Sequence, residues 1–253
     1  MSPFKKNRLW PWTLAGIIFT PALWWFATNF LKVSPRYMPS ISSVASAWIG
    51  LDPAIGIHFG ATALRLIIGF TVGTITGICL ALATARYKWL DSLLFPTINS
   101  MRAIPAAAIV PFFLLWFGFS EVGRYLLATI AVAFNVAVAA REILNQRISS
   151  HEAFFQSFGI APASLTFHYA LPRMAEGLLP TLRYSLALAL GAVTVSELLG
   201  SQIGLGYLLQ TARSTFSHHL LFLSMILLGL LSVIADFCLC LLWKRLIYWR
   251  TNK

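Results

Sequence analysis

Residues 151–172 read HEAFFQSFGIAPASLTFHYALP and separate two strongly apolar halves of the chain. Read as a helix, Glu152, Phe155 and Gly159 fall at i, i+3 and i+7, which places a charge, a ring and a gap on one face. Gly159 is expected to end a first short helix, and Pro162 suits the first turn of a second one. The pattern predicts two short helices that protrude between membrane spans, where a partner protein could bind them.

The composition of the whole chain excludes an ordinary soluble domain. Of its 253 residues, 58% are hydrophobic and only 11% are charged, and the mean hydropathy is +0.76. A soluble fold of this size cannot bury so much apolar surface, so the composition predicts a polytopic membrane protein. The net charge of +11 does not indicate nucleic-acid binding, because the basic residues cluster at the ends of apolar runs, as membrane anchors do.

Six apolar stretches are long enough to cross a bilayer as helices. They cover about residues 12–30, 62–85, 91–117, 124–140, 178–199 and 220–243. With both termini in the cytoplasm, this topology places 12 Lys and Arg residues on the inner side and 4 on the outer side. Because positive residues favour the cytoplasmic side, we expect one all-α transmembrane domain of about six helices with cytoplasmic N- and C-termini.

Gly69, Gly73 and Gly77 recur at four-residue spacing in the second apolar stretch. Glycines at this spacing lie on one helix face and let a second backbone approach closely. Close helix packing is the plainer interpretation of this face, ahead of a direct role in function.

The chain offers no constellation for catalysis. It lacks a glycine-rich loop followed by Lys and Ser or Thr, so no phosphate cradle is predicted. The five histidines fall in four segments, and the neighbours His218 and His219 cannot place both rings on one helix face. An intramembrane enzyme would need a His, Asp or Ser cluster at one depth. We therefore expect neither an enzyme nor a metal or cofactor site.

Four further stretches carry a resemblance to a known family. They are MPSISSVASAW at 38–48, TALRLIIGFTVGTITGICLAL at 62–82, MRAIPAAAIVPFFLLWFGFSE at 101–121 and VSELLGSQIGLGYLLQTAR at 195–213. In this order, and with the central stretch 151–172 at the right distance, they resemble the permeases of nitrate, sulfonate and taurine importers. These permeases belong to the binding-protein-dependent ABC importers.

The central stretch is similar to the cytoplasmic coupling loop of that family, whose pattern is Glu-Ala-Ala, three residues, Gly, nine residues, Ile-x-Leu-Pro. The spacing from Gly159 to Leu171 and Pro172 agrees, whereas Ala153 occupies the Glu position and Glu152 lies one place early. Two roles for Glu152 remain open. It could stabilise the N-terminus of the first loop helix as an anion, or it could form a salt bridge with an arginine of the ATPase.

The resemblance implies a type I ABC importer permease fold in a bacterial inner membrane. It also implies a homodimer, two copies of a cytoplasmic ATPase that hydrolyses ATP, and a periplasmic or lipid-anchored solute-binding protein. The coupling loop, about residues 150–172, would dock on the ATPase. The residues expected at that contact are Glu152, Ala153, Phe154, Phe155, Phe158, Gly159, Leu171 and Pro172.

The solute implied by the resemblance is a small anion, such as an oxyanion, a sulfonate or bicarbonate. A small heterocycle, such as a vitamin precursor, is the alternative within the same family. A stand-alone channel or secondary carrier is a third class, but it would not need the structured inner loop.

Arg102 and Pro105 are the first candidates for a translocation path. An arginine near the middle of a lipid-facing helix costs about 2.5–3.5 kcal/mol on insertion scales, so Arg102 should face a cavity or a partner. Pro105 makes the same helix irregular, which is tolerated where protein or water satisfies the backbone. The alternatives for Arg102 are an ion pair with a carboxylate on another helix and a position at the inner headgroups.

Arg183 and Glu197 are the other two candidates for the path. Arg183 lies close to the cytoplasmic end of its apolar stretch, where plain anchoring is as plausible as a functional role. Glu197 lies near the outer end, where the plainer interpretation is an exposed carboxylate or a structural ion pair with a nearby arginine. An ion pair with an arginine is also the plainer interpretation for Asp236.

Overall fold

The computed structural model describes residues 10–50, 54–157 and 171–247, and the regular structure within these ranges is entirely α-helical. We number the helices in chain order. They are α1 (Trp10–Asn29), α2 (Ile41–Gly50), α3 (Ala54–Arg86), α4 (Lys88–Met101), α5 (Ala106–Phe117), α6 (Glu121–Ser157), α7 (Leu171–Gly200), α8 (Leu205–Ser214) and α9 (His218–Leu246).

Four stretches of the described helices are long and apolar enough to cross a membrane. They are Ala54–Arg86, Glu121–Gln146, Met174–Gly200 and His218–Leu246. The bent pair α4 and α5 counts as a fifth if it is one span. The first predicted span, residues 12–30, corresponds to the 20-residue helix α1. Helix α1 is not among these stretches, and its role as a sixth span stays a prediction.

The centre of the fold is the contact between α3 and α6. A Cβ added to Gly73 would lie 2.7 Å from the backbone oxygen of Thr129, and one added to Gly77 would lie 2.7 Å from that of Ala133. Gly69 also meets α6, where an added Cβ would lie 2.4 Å from the Cβ of Ala128. The glycines therefore bring the two backbones together, which confirms the packing role predicted from their spacing. We call this contact the glycine seam.

The predicted third span, residues 91–117, is not one continuous helix. It is divided into α4 and α5, whose axes differ by 103°. Pro96 and Pro111 are accommodated inside the two helices, whereas Pro105 is the N-cap residue of α5 with φ of −58° and ψ of 133°. Pro105 accounts for the break, because its ring disfavours helical backbone at the preceding residue.

The C-terminal part of α6 corrects the interpretation of the central stretch. A separate short helix was expected there, but α6 runs without interruption from Glu121 to Ser157. The reason is local: residues 141–157 contain neither glycine nor proline. Glu152 thus lies near the C-terminal end of a long helix, where the macrodipole disfavours an anion. The N-terminal role proposed for Glu152 is therefore wrong.

Two short helices lie between the long ones. The first is α2, which packs against α9. The second is α8, in the polar segment after Gly200, which packs against α7 and α9. Leu205 and Leu208 of α8 are buried in the main core, so this helix is part of the fold.

Candidate functional site

A cavity of about 650 Å³ opens at the bend between α4 and α5. Its wall is formed by these two helices together with α6 and α7, and it is mostly apolar. The polar and aromatic groups at its wall include Asn99, Arg102, Phe134, Asn135 and Tyr184. Asn135 donates a hydrogen bond from Nδ2 to Oγ of Ser185 at 2.7 Å.

Arg102 stands at the C-terminal end of α4, and both Arg102 and Pro105 line this cavity. The Nε of Arg102 donates to Oδ1 of Asn99 at 3.0 Å. Among the side chains that the structure describes, Arg102 has no carboxylate within ion-pair distance. The alternative of an ion pair with a carboxylate on another helix is thus not found there, and Arg102 borders the cavity.

Arg183 does not line the cavity at the α4–α5 bend. It is 54% exposed and donates from Nε and Nη2 to the two carboxylate oxygens of Asp236 in α9, at 2.6 and 2.7 Å. The pair lies beside Pro180 at a separate depression between α7 and α9. The ion pair that the sequence suggested for Asp236 is therefore present, and a role of Arg183 in the path stays a prediction.

Glu197 lies in the interior of the protein, with only 1% of its surface exposed. It accepts hydrogen bonds from Nη1 of Arg65 at 2.7 Å, from Oγ1 of Thr62 at 3.0 Å and from the backbone N–H of Gly206 at 2.9 Å. The expectation of an exposed carboxylate is wrong, and the alternative, an ion pair with an arginine, is confirmed. A buried carboxylate needs such partners because its desolvation is otherwise very unfavourable.

The partner Arg65 belongs to a larger cluster at one end of α6. It binds Glu121 through Nε and Nη2, and Arg124 binds the same Glu121 carboxylate through Nη1 at 2.6 Å. We call Arg65, Glu121, Arg124 and Glu197 the outer charge network, because the predicted topology places it on the outer side. Sequence reasoning missed this network, since its members come from three helices that are far apart in the chain.

The turn between α7 and α8 is shaped around Glu197. Gly204 has φ of +137°, and a Cβ added there would lie 2.6 Å from Oε1 of Glu197. Its backbone N–H donates to Nδ1 of His58 at 3.0 Å, and that of Leu205 donates to Oγ1 of Thr62 at 2.8 Å. Only glycine combines this backbone conformation with the close approach of the carboxylate.

The coupling-loop candidates divide into three groups. The backbone of residues 152–155 is helical within α6, but their side chains lie outside the described residues. Phe158 and Gly159 lie outside the described residues altogether. Leu171 and Pro172 form the first turn of α7, where proline is well tolerated.

The described residues form a helical membrane protein with an irregular helix pair beside a cavity. Residues 69–248 match the family model described as the binding-protein-dependent transport system inner membrane component. The chain belongs to this family, and it is a transmembrane permease subunit of an ABC importer in a bacterial inner membrane.

Two curated relatives cover almost the whole chain. The putative aliphatic sulfonates transport permease protein SsuC of Escherichia coli is 27% identical over 98% of this chain and 95% of its own length. The riboflavin transport system permease protein RibX of Chloroflexus aurantiacus is 29% identical over 98% of this chain and 95% of its own length.

A solved structure shows the same fold. An inward-facing conformation of the MetNI methionine ABC transporter aligns with a TM-score of 0.53 and 19% identity, covering 77% of this chain and 96% of that chain. This likeness supports the type I importer fold expected from the sequence.

Proposed function

We propose that this chain forms the translocation path for a small anionic solute, which a binding protein delivers and a separate ATPase drives across the membrane. In this proposal two copies of the chain form a homodimer. We choose an anion because Arg102 lines the cavity of about 650 Å³ and has no carboxylate partner among the described side chains.

The chemistry of Arg102 explains why an oxygen-rich anion suits this cavity. A guanidinium is charged at all physiological pH values and presents several N–H donors that match the oxygens of a sulfonate or carboxylate. Its attraction for an anion is stronger in a cavity with apolar walls than in bulk water. The name of the Escherichia coli relative, a sulfonates permease, agrees with this class of solute.

The experiment is ATP-driven uptake by proteoliposomes that contain the permease with its ATPase and binding protein. Arg102→Lys should retain a good part of transport, because it keeps the charge, whereas Arg102→Gln should retain little. Arg213→Gln is the matched control, since Arg213 is an exposed arginine at the end of α8 and not at the cavity. Equal uptake by Arg102→Gln and the wild type would remove Arg102 from the path.

A small heterocycle is the second candidate solute. The cavity wall carries the rings of Phe134 and Tyr184 and the amides of Asn99 and Asn135, groups that can stack on and hydrogen-bond to a planar ring. The relative from Chloroflexus aurantiacus is named for riboflavin transport. Competition between an alkyl sulfonate and a pyrimidine or flavin in the same uptake assay would distinguish the two classes.

We further propose that the C-terminal part of α6 and the residues after it dock on the ATPase. The 37 residues of α6 extend about 55 Å at 1.5 Å per residue, whereas the apolar core of a bilayer is only about 30 Å thick. This length would carry residues 147–157 beyond the membrane. Phe155→Asp or Gly159→Trp should abolish co-purification of the ATPase while the permease stays folded.

Glu152 has one role left in this proposal, a salt bridge to an arginine of the ATPase. Glu152→Gln should then reduce ATP-driven uptake strongly at normal permease expression. Uptake and ATPase association at the wild-type level in all three variants would refute the docking proposal.

A further inference from the structure

We propose that Arg65 and Arg124 form an outer oxyanion site that the carboxylate of Glu121 now occupies, and that a small sulfonate or sulfate can displace this carboxylate. The site belongs to the outer charge network and is separate from the cavity at Arg102. The inference therefore goes beyond the proposed function and does not depend on it.

Glu121 is bound in the way that a free oxyanion would be bound. Its Oε1 accepts from Nη2 of Arg65 and from Nη1 of Arg124, both at 2.6 Å, and its Oε2 accepts from Nε of Arg65 at 2.8 Å. One carboxylate thus bridges two guanidinium groups. The same donors match the oxygens of a sulfonate or sulfate, because guanidinium forks bind two oxygens of one anion.

The two carboxylates on Arg65 differ in how firmly they are held. The side chain of Glu197 is 0% exposed and is also bound by Thr62 and the N–H of Gly206, whereas the side chain of Glu121 is 47% exposed. Removing Glu197 would take from Arg65 the more deeply buried of its two carboxylate partners, and breaking a buried pair is costly. Glu121 can move into solvent, and an incoming anion can then supply the negative charge beside the two arginines.

The net charge of the network also favours the replacement of Glu121 by a free anion. The network contains two arginines and two carboxylates. When Glu121 moves away, Glu197 still compensates one guanidinium, and one positive charge is left. A singly charged sulfonate would restore neutrality at this position, and sulfate would exceed it by one charge. We therefore expect a monoanionic sulfonate to bind more tightly than sulfate.

Arg124 supplies an independent observation. The residue is only 7% exposed, and its Nε is buried without a hydrogen-bond partner in the part of the chain that the structure describes. Its Nη2 donates to the backbone oxygen of Gly200. A buried N–H without a partner is unfavourable. A sulfonate has three oxygens where a carboxylate has two, so it can offer an acceptor that Glu121 does not.

Space for such a ligand is available beside the two arginines. A cavity of about 490 Å³ is lined by Arg65, Glu121 and Arg124 together with Phe119 and the turn that begins at Ser201. Glu121 opens α6, at the opposite end of this helix from the segment proposed to meet the ATPase. In the predicted topology, a solute released on the outer side meets this site before it reaches Arg102.

The test is a binding titration of the purified full-length permease with methanesulfonate and with sulfate, read by the shift in its melting temperature. Glu121→Ala removes the tethered competitor and should tighten methanesulfonate binding about tenfold or more, since a tethered group competes at high effective concentration. Glu121→Gln, which keeps the shape of the side chain, should give a smaller gain. Adding Arg124→Gln to either variant should abolish the gain.

Asp236→Asn is the matched control, because it frees an exposed arginine, Arg183, that has no second guanidinium beside it in the described structure. It should bring no gain in affinity. The proposal is overturned if neither Glu121 variant binds methanesulfonate more tightly than the wild type, or if Asp236→Asn gains as much.

A lipid headgroup could present the same chemistry, so the titration is repeated in nanodiscs of zwitterionic and of anionic lipid. The contrary result is that anionic lipid stabilises Glu121→Ala while free methanesulfonate has no effect in zwitterionic nanodiscs or in detergent. That result would assign the site to lipid and refute the proposal. The gain in affinity from Glu121→Ala should persist when Arg102→Gln is added, which separates a failure here from a failure of the proposed transport role.

Discussion

The glycine seam and the bent pair α4–α5 differ in how closely their helices pack. Along the seam, Gly73 brings the backbones of α3 and α6 so close that a single added carbon would overlap with Thr129. At the bend, Pro105 interrupts the helix and leaves a cavity with Arg102 at its wall. The close-packed wall supports an irregular one, whose polar groups line a cavity.

The two regions are joined at the other end of α4. Arg141 of α6 forms a bidentate ion pair with Asp91, with Nη2 at 2.5 Å from Oδ2, and its guanidinium carbon lies 3.7 Å from the centre of the Phe95 ring. This contact fixes the start of α4 to the close-packed wall. The end of α4, at Arg102, adjoins the bend.

The largest effect should come from breaking the seam. In Gly73→Leu the new side chain would meet Thr129 and Val132 at 2.7 Å from its Cβ, and we expect a loss of stability of about 3 kcal/mol or more. Thermal unfolding in detergent measures this loss. The control is Gly229→Leu in α9, where no atom lies within 4 Å of an added Cβ; a similar loss in that variant would contradict the role of the seam.

A smaller effect is expected in the outer charge network, which lies at the end of the seam. Glu197→Gln removes the buried carboxylate from Arg65, and we expect a loss of about 2–3 kcal/mol. This is below the usual loss of about 3–5 kcal/mol for a broken buried pair, because Glu121 still compensates Arg65.

The matched control in the network is Glu121→Gln, on the same arginine but at a half-exposed carboxylate. Its loss should be smaller, about 1–2 kcal/mol, because water reaches the half-exposed position and Arg65 keeps Glu197, although Arg124 loses its carboxylate partner. Both variants are compared by chemical unfolding. Equal losses would show that burial does not distinguish the two carboxylates.

The smallest effect on global stability should come from weakening the contact between the start of α4 and α6. Asp91→Asn weakens the contact with Arg141, and we expect faster hydrogen exchange in Lys88–Met101 with unchanged exchange along the glycine seam. Arg141→Lys should lie between this variant and the wild type, because lysine keeps the charge but loses the planar, bidentate contact. Faster exchange in both regions would show that the bent pair and the seam are one cooperative unit.

Part of the candidate site was accessible from the sequence. Arg102 and Pro105 were chosen because a charge and a helix break at membrane depth both require a special environment, and both residues line the cavity. Their part in transport remains a prediction. The continuation of α6 to Ser157 could also have been predicted from the absence of glycine and proline after Arg141.

The sequence by itself determined the membrane class, the family, the close-packing glycine face of α3 and the irregular backbone at Pro105. The family follows from the resemblance of four motifs in order, whereas the other features follow from local composition, periodicity and backbone chemistry, which a linear chain displays directly. Only the tertiary structure decided that Glu197 pairs with Arg65, 132 positions away, and that Glu121 bridges Arg65 and Arg124. The physical reason is that an ion pair depends on which helix faces meet and on how deeply they are buried, and both are properties of the packed helices.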